Sequence, residues 1–448
     1  MPFQARELDP AGSARARLGS ELRRLRTERG LSQARPGALI HVSADLVRRV
    51  EATERLPSQE FITDCDRALG GAGCLVELWP AVAAERSQAK LRERSAPPHA
   101  GARFVPGGSE ALISAWMASA PGYPSVAPVG SGLLWATEQD LVVARSMLGM
   151  FRQLDHVHGA GQFAGHLAAY VDGELAELLA RPAASDAVGR ARSLLAAEFM
   201  ELAGYQAVDS GRPGGAQSYY QQDLELAARS GDRSYGGYLV AVNLGHLALH
   251  CGHPELALRW AEAAEASVGT AASPVTRAAI HAVAARAQAR LGEERKTTGL
   301  LHRAEALLDG AVQQDEPSWM GYFSRASLAD EIAHCLHDLG RAPAARVEVA
   351  DALEGVGPSH VRRLAIDAAL LASTWLRSGE VEQPCAVARE AVDYTARTSS
   401  GRCVERVARL LDELVPYGDL PAVVELDAYV RQVLPAAVLG QRVSASAR

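Results

Sequence analysis

Lysine is almost missing from this 448-residue chain: Lys90 and Lys296 are its only two, and every other basic side chain is arginine. With the heavy alanine and glycine load, that bias is typical of a high-GC bacterial coding sequence. Aromatic residues are also scarce, at 5%, and alanine carries much of the hydrophobic share. Small apolar side chains at this density suit closely packed helices better than sheets. The six cysteines, Cys65, Cys74, Cys251, Cys335, Cys385 and Cys403, form no CxxC pair and no zinc spacing. In a chain this size they read as reduced core residues, which argues against a disulfide scaffold. No apolar run reaches 18 residues, and the opening MPFQARELDP holds no apolar signal segment, so a soluble, cytoplasmic protein without a membrane partner is expected. There is no GxGxxG after a strand, no Walker loop and no convincing carboxylate pair. The chain is therefore expected to be a non-enzyme with no catalytic residues, no cofactor and no metal.

What is present is unevenly spread. The length calls for two to four domains. Residues 1–60 hold 11 Arg against 8 Asp and Glu, a net +3, which leaves −10 on the rest of a chain whose total is −7. A basic head on an acidic body fits a polyanion-binding module carried by a soluble scaffold.

The head has the punctuation of short helices. Leu18, Leu22 and Leu25 recur at i, i+4 and i+7, with Arg17, Arg23, Arg24 and Arg26 off that stripe and Gly30 placed as a C-cap. Ser32 offers an N-cap with Gln33 just inside, and Val42-Ser43 gives a turn and a second N-cap. Leu46, Val47 and Val50 form a core side, which leaves Ala44, Asp45, Arg48 and Arg49 facing outward. Pro57 ends that unit; Phe61, Ile62, Cys65 and Leu69 form another apolar face, closed by Gly70-Gly71.

Residues 15–80 resemble the Cro and phage-repressor (XRE-type) helix-turn-helix family through Leu31-Ser32-Gln33, Val42-Ser43, Val47, Arg49, Val50-Glu51 and Pro57. The resemblance implies a five-helix domain whose second paired helix enters the major groove of double-stranded DNA. It places Ser43, Ala44, Asp45 and Arg48 toward bases and Gln33 and Arg49 toward phosphates. Arg48 is then the candidate for guanine, and Asp45 for a cytosine amine. The chain departs from the family pattern at four positions. With Ser32 as cap, Pro36 falls at the fourth helical position and removes a backbone bond, and Gly37 adds roughly 1 kcal/mol against alanine. His41 and Thr53 stand where the family has glycines, the first at a turn that favours a left-handed backbone. These departures keep open a second reading, a head that no longer reads DNA on a protein-interaction scaffold.

Between the head and the tail, residues 94–132 are rich in Pro, Gly and Ser around an apolar patch of Leu112, Ile113, Trp116 and Met117, a candidate docking helix. Asp155, His156, His158 and His166 have metal-ligand atom types, but no helical face collects three of them, and Gly159 to Gly161 looks like a helix-helix turn.

From about residue 197 the chain repeats. Gly211, Gly252, Gly292, Gly340 and Gly379 are spaced 41, 40, 48 and 39 residues apart, each preceded at seven residues by Gly204, Gly245, Ala285, Ala333 or Ala372. Ala216, Ala257 and Ala345 follow three of them. The spacing resembles the tetratricopeptide repeat (TPR), whose helix pairs stack into a superhelix with a concave groove. Thr297 and Pro384 stand where alanine is expected, so those pairs should splay or shift. The first helix of each pair would line the groove with Tyr205, Asn243, His246, Arg286, Arg290, His334, His337 and Ser373. Such groups suit a peptide or protein ligand or its carboxylate, and equally a solvated or subunit-buried polar row.

An all-α chain is therefore expected: an arm at 1–14, a helix-turn-helix at 15–80, a linker with a short helix at 81–136, a helical connector at 137–196, a TPR-like solenoid at 197–436 and a disordered tail at 437–448. The whole resembles actinomycete regulators that join a repressor-like head to a TPR-like domain. That implies a homodimeric, nucleoid-associated transcription regulator binding a double-stranded operator.

Overall fold

The computed structural model describes residues 14–53, 55, 57–79, 82, 103–119, 135–312 and 315–434. Among them every regular element is a helix. Most of the expected arm, much of the linker and the tail at 437–448 lie outside the described residues. The chain divides into two compact units, Met1–Ala96 and Pro97–Arg448.

The first unit holds α1 (Ala14–Glu28), α2 (Ala34–Leu39), α3 (Ala44–Glu51), α4 (Gln59–Ala68) and a short α5 at 74–79. Its core is the set that periodicity assigns: Leu18, Leu22 and Leu25 of α1, Val47 and Val50 of α3, and Phe61, Ile62, Cys65 and Leu69. Gly30 takes φ +64°, and the Leu31 N–H returns to the Arg26 carbonyl, so the expected C-cap forms. Asp66 accepts from the N–H groups of Gly73 (2.7 Å) and Leu75 (2.9 Å), fixing the turn into α5.

The regular helix α2 starts at Ala34, but Gln33 before it already has helical backbone (φ −62°, ψ −23°) and makes no side-chain cap bond, and the Arg35 N–H returns to the Ser32 carbonyl (3.1 Å). Pro36 is then the fourth residue in helical backbone, where it lacks the N–H of the first intrahelical bond. Gly37 has a packing reason: a Cβ there would stand 2.7 Å from the Val42 carbonyl oxygen and 3.3 Å from the Ala44 nitrogen. Glycine lets α2 lie directly on the turn that launches α3.

The second unit is a series of helical hairpins. α6 (Glu110–Ala118) docks on a later hairpin, with Ile113 and Trp116 buried. It is pinned by Gln217, whose amide bonds both ways to the Val105 backbone (2.9 and 3.0 Å). α7 (Glu138–His158) turns at Gly159 (φ +74°) into α8 (Ala160–Tyr170), which continues through a π turn at Val171–Leu175 into α9 (Ala176–Ala180). Then come α10 (Asp186–Asp209) with α11 (Pro213–Ser230), and a run of α12 (Arg233–Tyr238), a π segment (Leu239–Leu244) and α13 (Gly245–His250) with α14 (Pro254–Val268). The pairs α15 (Pro274–Arg290) and α16 (Glu294–Asp309), α17 (Arg325–Asp338) and α18 (Ala342–Glu354), and α19 (Val361–Leu376) and α20 (Glu382–Ala396) follow, and then α21 (Gly401–Leu414) and α22 (Pro421–Val433).

The five punctuating glycines all adopt left-handed backbone, with φ between +69° and +84°. Their upstream partners give the close approach: a Cβ on Gly204 would enter the Tyr220 ring, and Ala285, Ala333 and Ala372 are fully buried. The splaying expected at Thr297 does not occur. That side chain is buried, its hydroxyl donates to the Glu293 carbonyl (3.0 Å), and α15 and α16 pack as extensively as the other pairs. Pro384 is also buried, near the start of α20, and α19 and α20 remain closely packed. The last two helices do not form a further pair of this kind: α21 packs on α19 and α22 on α20, and no left-handed glycine joins them, because α21 runs into the turn Val415–Tyr417.

Early and late helices of this unit meet through a buried ion cluster. Arg362 of α19 donates to Asp155 of α7 (2.6 Å) and Asp209 of α10 (3.3 Å). Asp209 also accepts from Ser400 Oγ and the Ala160 N–H, and Ser399 N–H donates to the His158 carbonyl (2.9 Å). Asp155, one of the groups with metal-ligand chemistry, is thus an ion-pair partner, and His156 packs its ring 4.8 Å from that of His360. Removing the cation strands two buried carboxylates, so Arg362→Ala should cost about 3–5 kcal/mol. Arg341→Ala, at an exposed pair with Glu294, should cost less than about 1 kcal/mol. Chemical denaturation of the two variants checks the contrast, which equal midpoints would remove.

Candidate functional site

α3 is eight residues long and carries both faces that the sequence assigns to it. Ser43 is extended (φ −70°, ψ 148°), and its hydroxyl accepts from the Leu46 N–H (3.2 Å), an N-cap that starts the helix. Val47, Val50 and Glu51 are buried, whereas Ser43, Ala44, Asp45, Arg48 and Arg49 are exposed. Arg35 of α2 is exposed as well.

What aims this face is Glu51, whose carboxylate is fully buried. Arg26 of α1 grips it with two bonds (2.5 and 2.9 Å), and the Gln33 amide adds a third (2.8 Å). Arg23 reaches the Glu51 carbonyl at 3.4 Å. The amide of Gln33, read from sequence as a phosphate contact, is thus engaged in holding the end of α3 and sits half-buried.

On the outer face Asp45 binds both neighbouring arginines. Its Oδ1 accepts from Arg48 Nε and Nη2 (3.1 and 3.0 Å), and its Oδ2 lies 2.7 Å from Arg49 Nε. All three side chains are exposed, so these are weak, salt-screened pairs. They hold the guanidiniums in place while leaving a carboxylate beside any incoming phosphate.

The two family glycines replaced in this chain keep the glycine backbone. His41 has φ +57° and Thr53 has φ +61°. Each non-glycine residue in this region costs roughly 1–2 kcal/mol, more for β-branched threonine.

In the second unit, the polar row expected along the first helices is drawn together by acids, most of them on other first helices. His246 Nε2 lies 3.3 Å from Glu331 Oε1, and Arg286 Nη1 donates to Glu331 Oε2 at 2.8 Å. Burial pushes the Glu331 carboxyl up, but His246 and Arg286 outweigh it and hold it at about 2. Arg290 bonds Asp338 (2.7 Å), and His337 contacts Ser373 (2.9 Å), which donates to Glu413. Asn243 donates to Glu201 (3.3 Å), which also accepts from the Tyr238 hydroxyl (2.6 Å). His334 is buried 3.6 Å from Asp330, and burial followed by Arg286, Arg406, His337 and Arg290 keeps its pKa well below the ordinary histidine value. Tyr205 lies under two guanidiniums, Arg362 at 4.5 Å and Arg402 at 5.5 Å.

The acids Glu201, Glu331, Asp338 and Glu413 are what counting from the small positions misses. Glu331 and Glu201 lie two and three residues before Ala333 and Gly204 on the same helices, which is the sequence signal for them. Among the described residues no group of three His, Cys, Asp or Glu side chains is placed to hold a metal, and no helix is long and apolar enough to cross a membrane. The six cysteines are free thiols, four of them buried.

Comparison with known proteins gives a match over the first unit. A family model described as a helix-turn-helix domain matches residues 17–79, which are α1 to α5. No curated protein sequence matches the chain. Among solved structures, the crystal structure of Bacillus thuringiensis PlcR in complex with the peptide PapR7 and DNA is similar at 13% identity. That match covers 65% of this chain and 94% of that one, with a TM-score of 0.27, too low to equate the two architectures.

The strain at the two turns is testable. His41→Gly and Thr53→Gly should each stabilise the first unit by roughly 0.5–1 kcal/mol, the strain relieved less the chain entropy that glycine adds. Thermal melts of the full chain check this, and a lowered first transition in both variants would contradict it.

Proposed function

We propose that this chain is a sequence-specific DNA-binding transcription regulator rather than an enzyme, acting in the cytoplasm on a double-stranded operator. The supporting observation is the outer face of α3: a capped helix with its apolar side buried, its last residue locked by Arg26, and Ser43, Ala44, Asp45, Arg48 and Arg49 exposed together. A helix of this kind enters the major groove by its N-terminal residues. Arg48 would read guanine O6 and N7 with its fork, and Asp45, once released from it, would accept from a cytosine amine. Arg49 would hold a phosphate. Gln33 would serve mainly by fixing α3, with one amide hydrogen left for the backbone of the DNA.

The hairpin unit would supply dimerisation and a ligand surface. Two heads held at a fixed spacing would meet half-sites about one helical turn apart, and a peptide, protein or small ligand on the concave face would alter that spacing. A coupling of about 1–3 kcal/mol between ligand and DNA suffices for regulation. The second reading, a protein-interaction scaffold whose head reads no sequence, draws on the strained His41 and Thr53 and on the carboxylate of Asp45 in the reading face.

Genomic fragments captured by the full chain and sequenced decide between the two. The regulator enriches a recurring site, and Arg48→Ala weakens binding to that site by about 10–100-fold at fixed salt, the worth of one bidentate base contact. Capture without an enriched sequence, or an Arg48→Ala profile identical to the parent, supports the scaffold.

A further inference from the structure

The second unit holds a run of arginines on its helix α21, one of which, Arg406, has no acid bonded to it among the described residues. On α21, Arg402, Arg406 and Arg409 recur at i, i+4 and i+7, while Cys403, Val407, Leu410, Leu411 and Leu414 form the buried side. Arg409 is paired with Glu405. Arg402 lies over the Tyr205 ring of α10, and against burial and Arg362 its pKa is held above the ordinary arginine value by Tyr205 and Asp209, whereas Arg406 makes neither an ion pair nor a hydrogen bond among the described residues. Both are half-buried.

The charges facing Arg406 come from several elements. Burial first, then Arg286 of α15 and Arg409 and Arg402 of α21, push its pKa down to about 10, opposed only by Glu405, which Arg409 already engages. Burial and the same arginines also keep His250 of α13 and His334 of α17 below the ordinary histidine value, with Glu405 again the opposing charge at His250. Helices α10, α13, α15, α17 and α21 therefore converge on one region. Arg286, itself buried and bonded to Glu331 through Nη1, has an Nε with no partner.

An unpaired cation among other cations destabilises a fold unless something compensates it. We propose that Arg402 and Arg406 form a binding site for an oxyanion, a carboxylate or phosphate of a ligand entering the concave face, with Arg286 Nε and the Tyr205 ring at its border. Guanidinium forks match such groups bidentately, and neutral or cationic ligands gain nothing there. This deepens the regulator reading by naming the ligand's chemistry, and rests on it only for the consequence of binding.

The test titrates inorganic phosphate and citrate separately into the full chain at constant ionic strength, by calorimetry and by thermal melting. At least one anion should bind saturably and raise the melting temperature of the second unit. Phosphate alone, or citrate alone, identifies the source of the oxyanion. Arg402→Gln and Arg406→Gln should each weaken binding by about 10–100-fold, the worth of charge-assisted hydrogen bonds. Without anion, Arg406→Gln should raise the melting temperature, because it removes a repelled cation; a purely structural arginine would lower it. No saturable binding by either anion, unchanged affinity in Arg406→Gln, or a lowered melting temperature in that variant overturns the proposal. Genomic DNA capture by the anion-free parent separates the two readings: capture intact with anion binding absent overturns this site alone.

Discussion

A single buried carboxylate organises the reading face. Glu51 closes α3, a helix too short to persist by itself. An ionised carboxylate out of water is tolerable only when paired and hydrogen-bonded, and Arg26 and Gln33 supply that from α1 and from the cap of α2. Removing one partner of such a pair costs about 3–5 kcal/mol, so the three helices hold one geometry or lose the domain. The direction in which Arg48 and Arg49 project follows from this constraint.

The second unit applies similar chemistry along a stack. Histidines, arginines and an asparagine on first helices are tied to carboxylates of neighbouring helices at Glu201, Glu331 and Asp338, so much of the polar row stitches repeats together. Arg362 does the same between early and late helices, binding Asp155 and Asp209. Against that background Arg406 stands out, because burial and the surrounding arginines work against its charge and Glu405 is already engaged by Arg409. Where a fold pairs most of its buried charges, the unpaired ones mark where a ligand's charge belongs.

Much of this was legible in the sequence, and the exceptions have physical causes. Apolar periodicity and N-caps such as Ser43 located the head's core and α3, since both are local signals. The five punctuating glycines were readable because only glycine takes φ near +75° without strain, and the same rule flagged His41 and Thr53. Gly37 was misjudged because its effect depends on the nearness of Val42, which is a tertiary fact. The engagement of Gln33 with Glu51 and the pairing of the polar row with acids of other repeats are long-range contacts that spacing does not encode. The last two helices escaped the count because no left-handed glycine joins them.

The central claim is that α3 reads base edges in the major groove, and methylation interference at guanine N7 on the captured DNA tests it most directly. The account predicts that methylating one guanine per half-site blocks the parent chain, and that Arg48→Ala loses this sensitivity while still contacting phosphate. Binding indifferent to guanine N7 methylation, or the same interference pattern in Arg48→Ala, would contradict it.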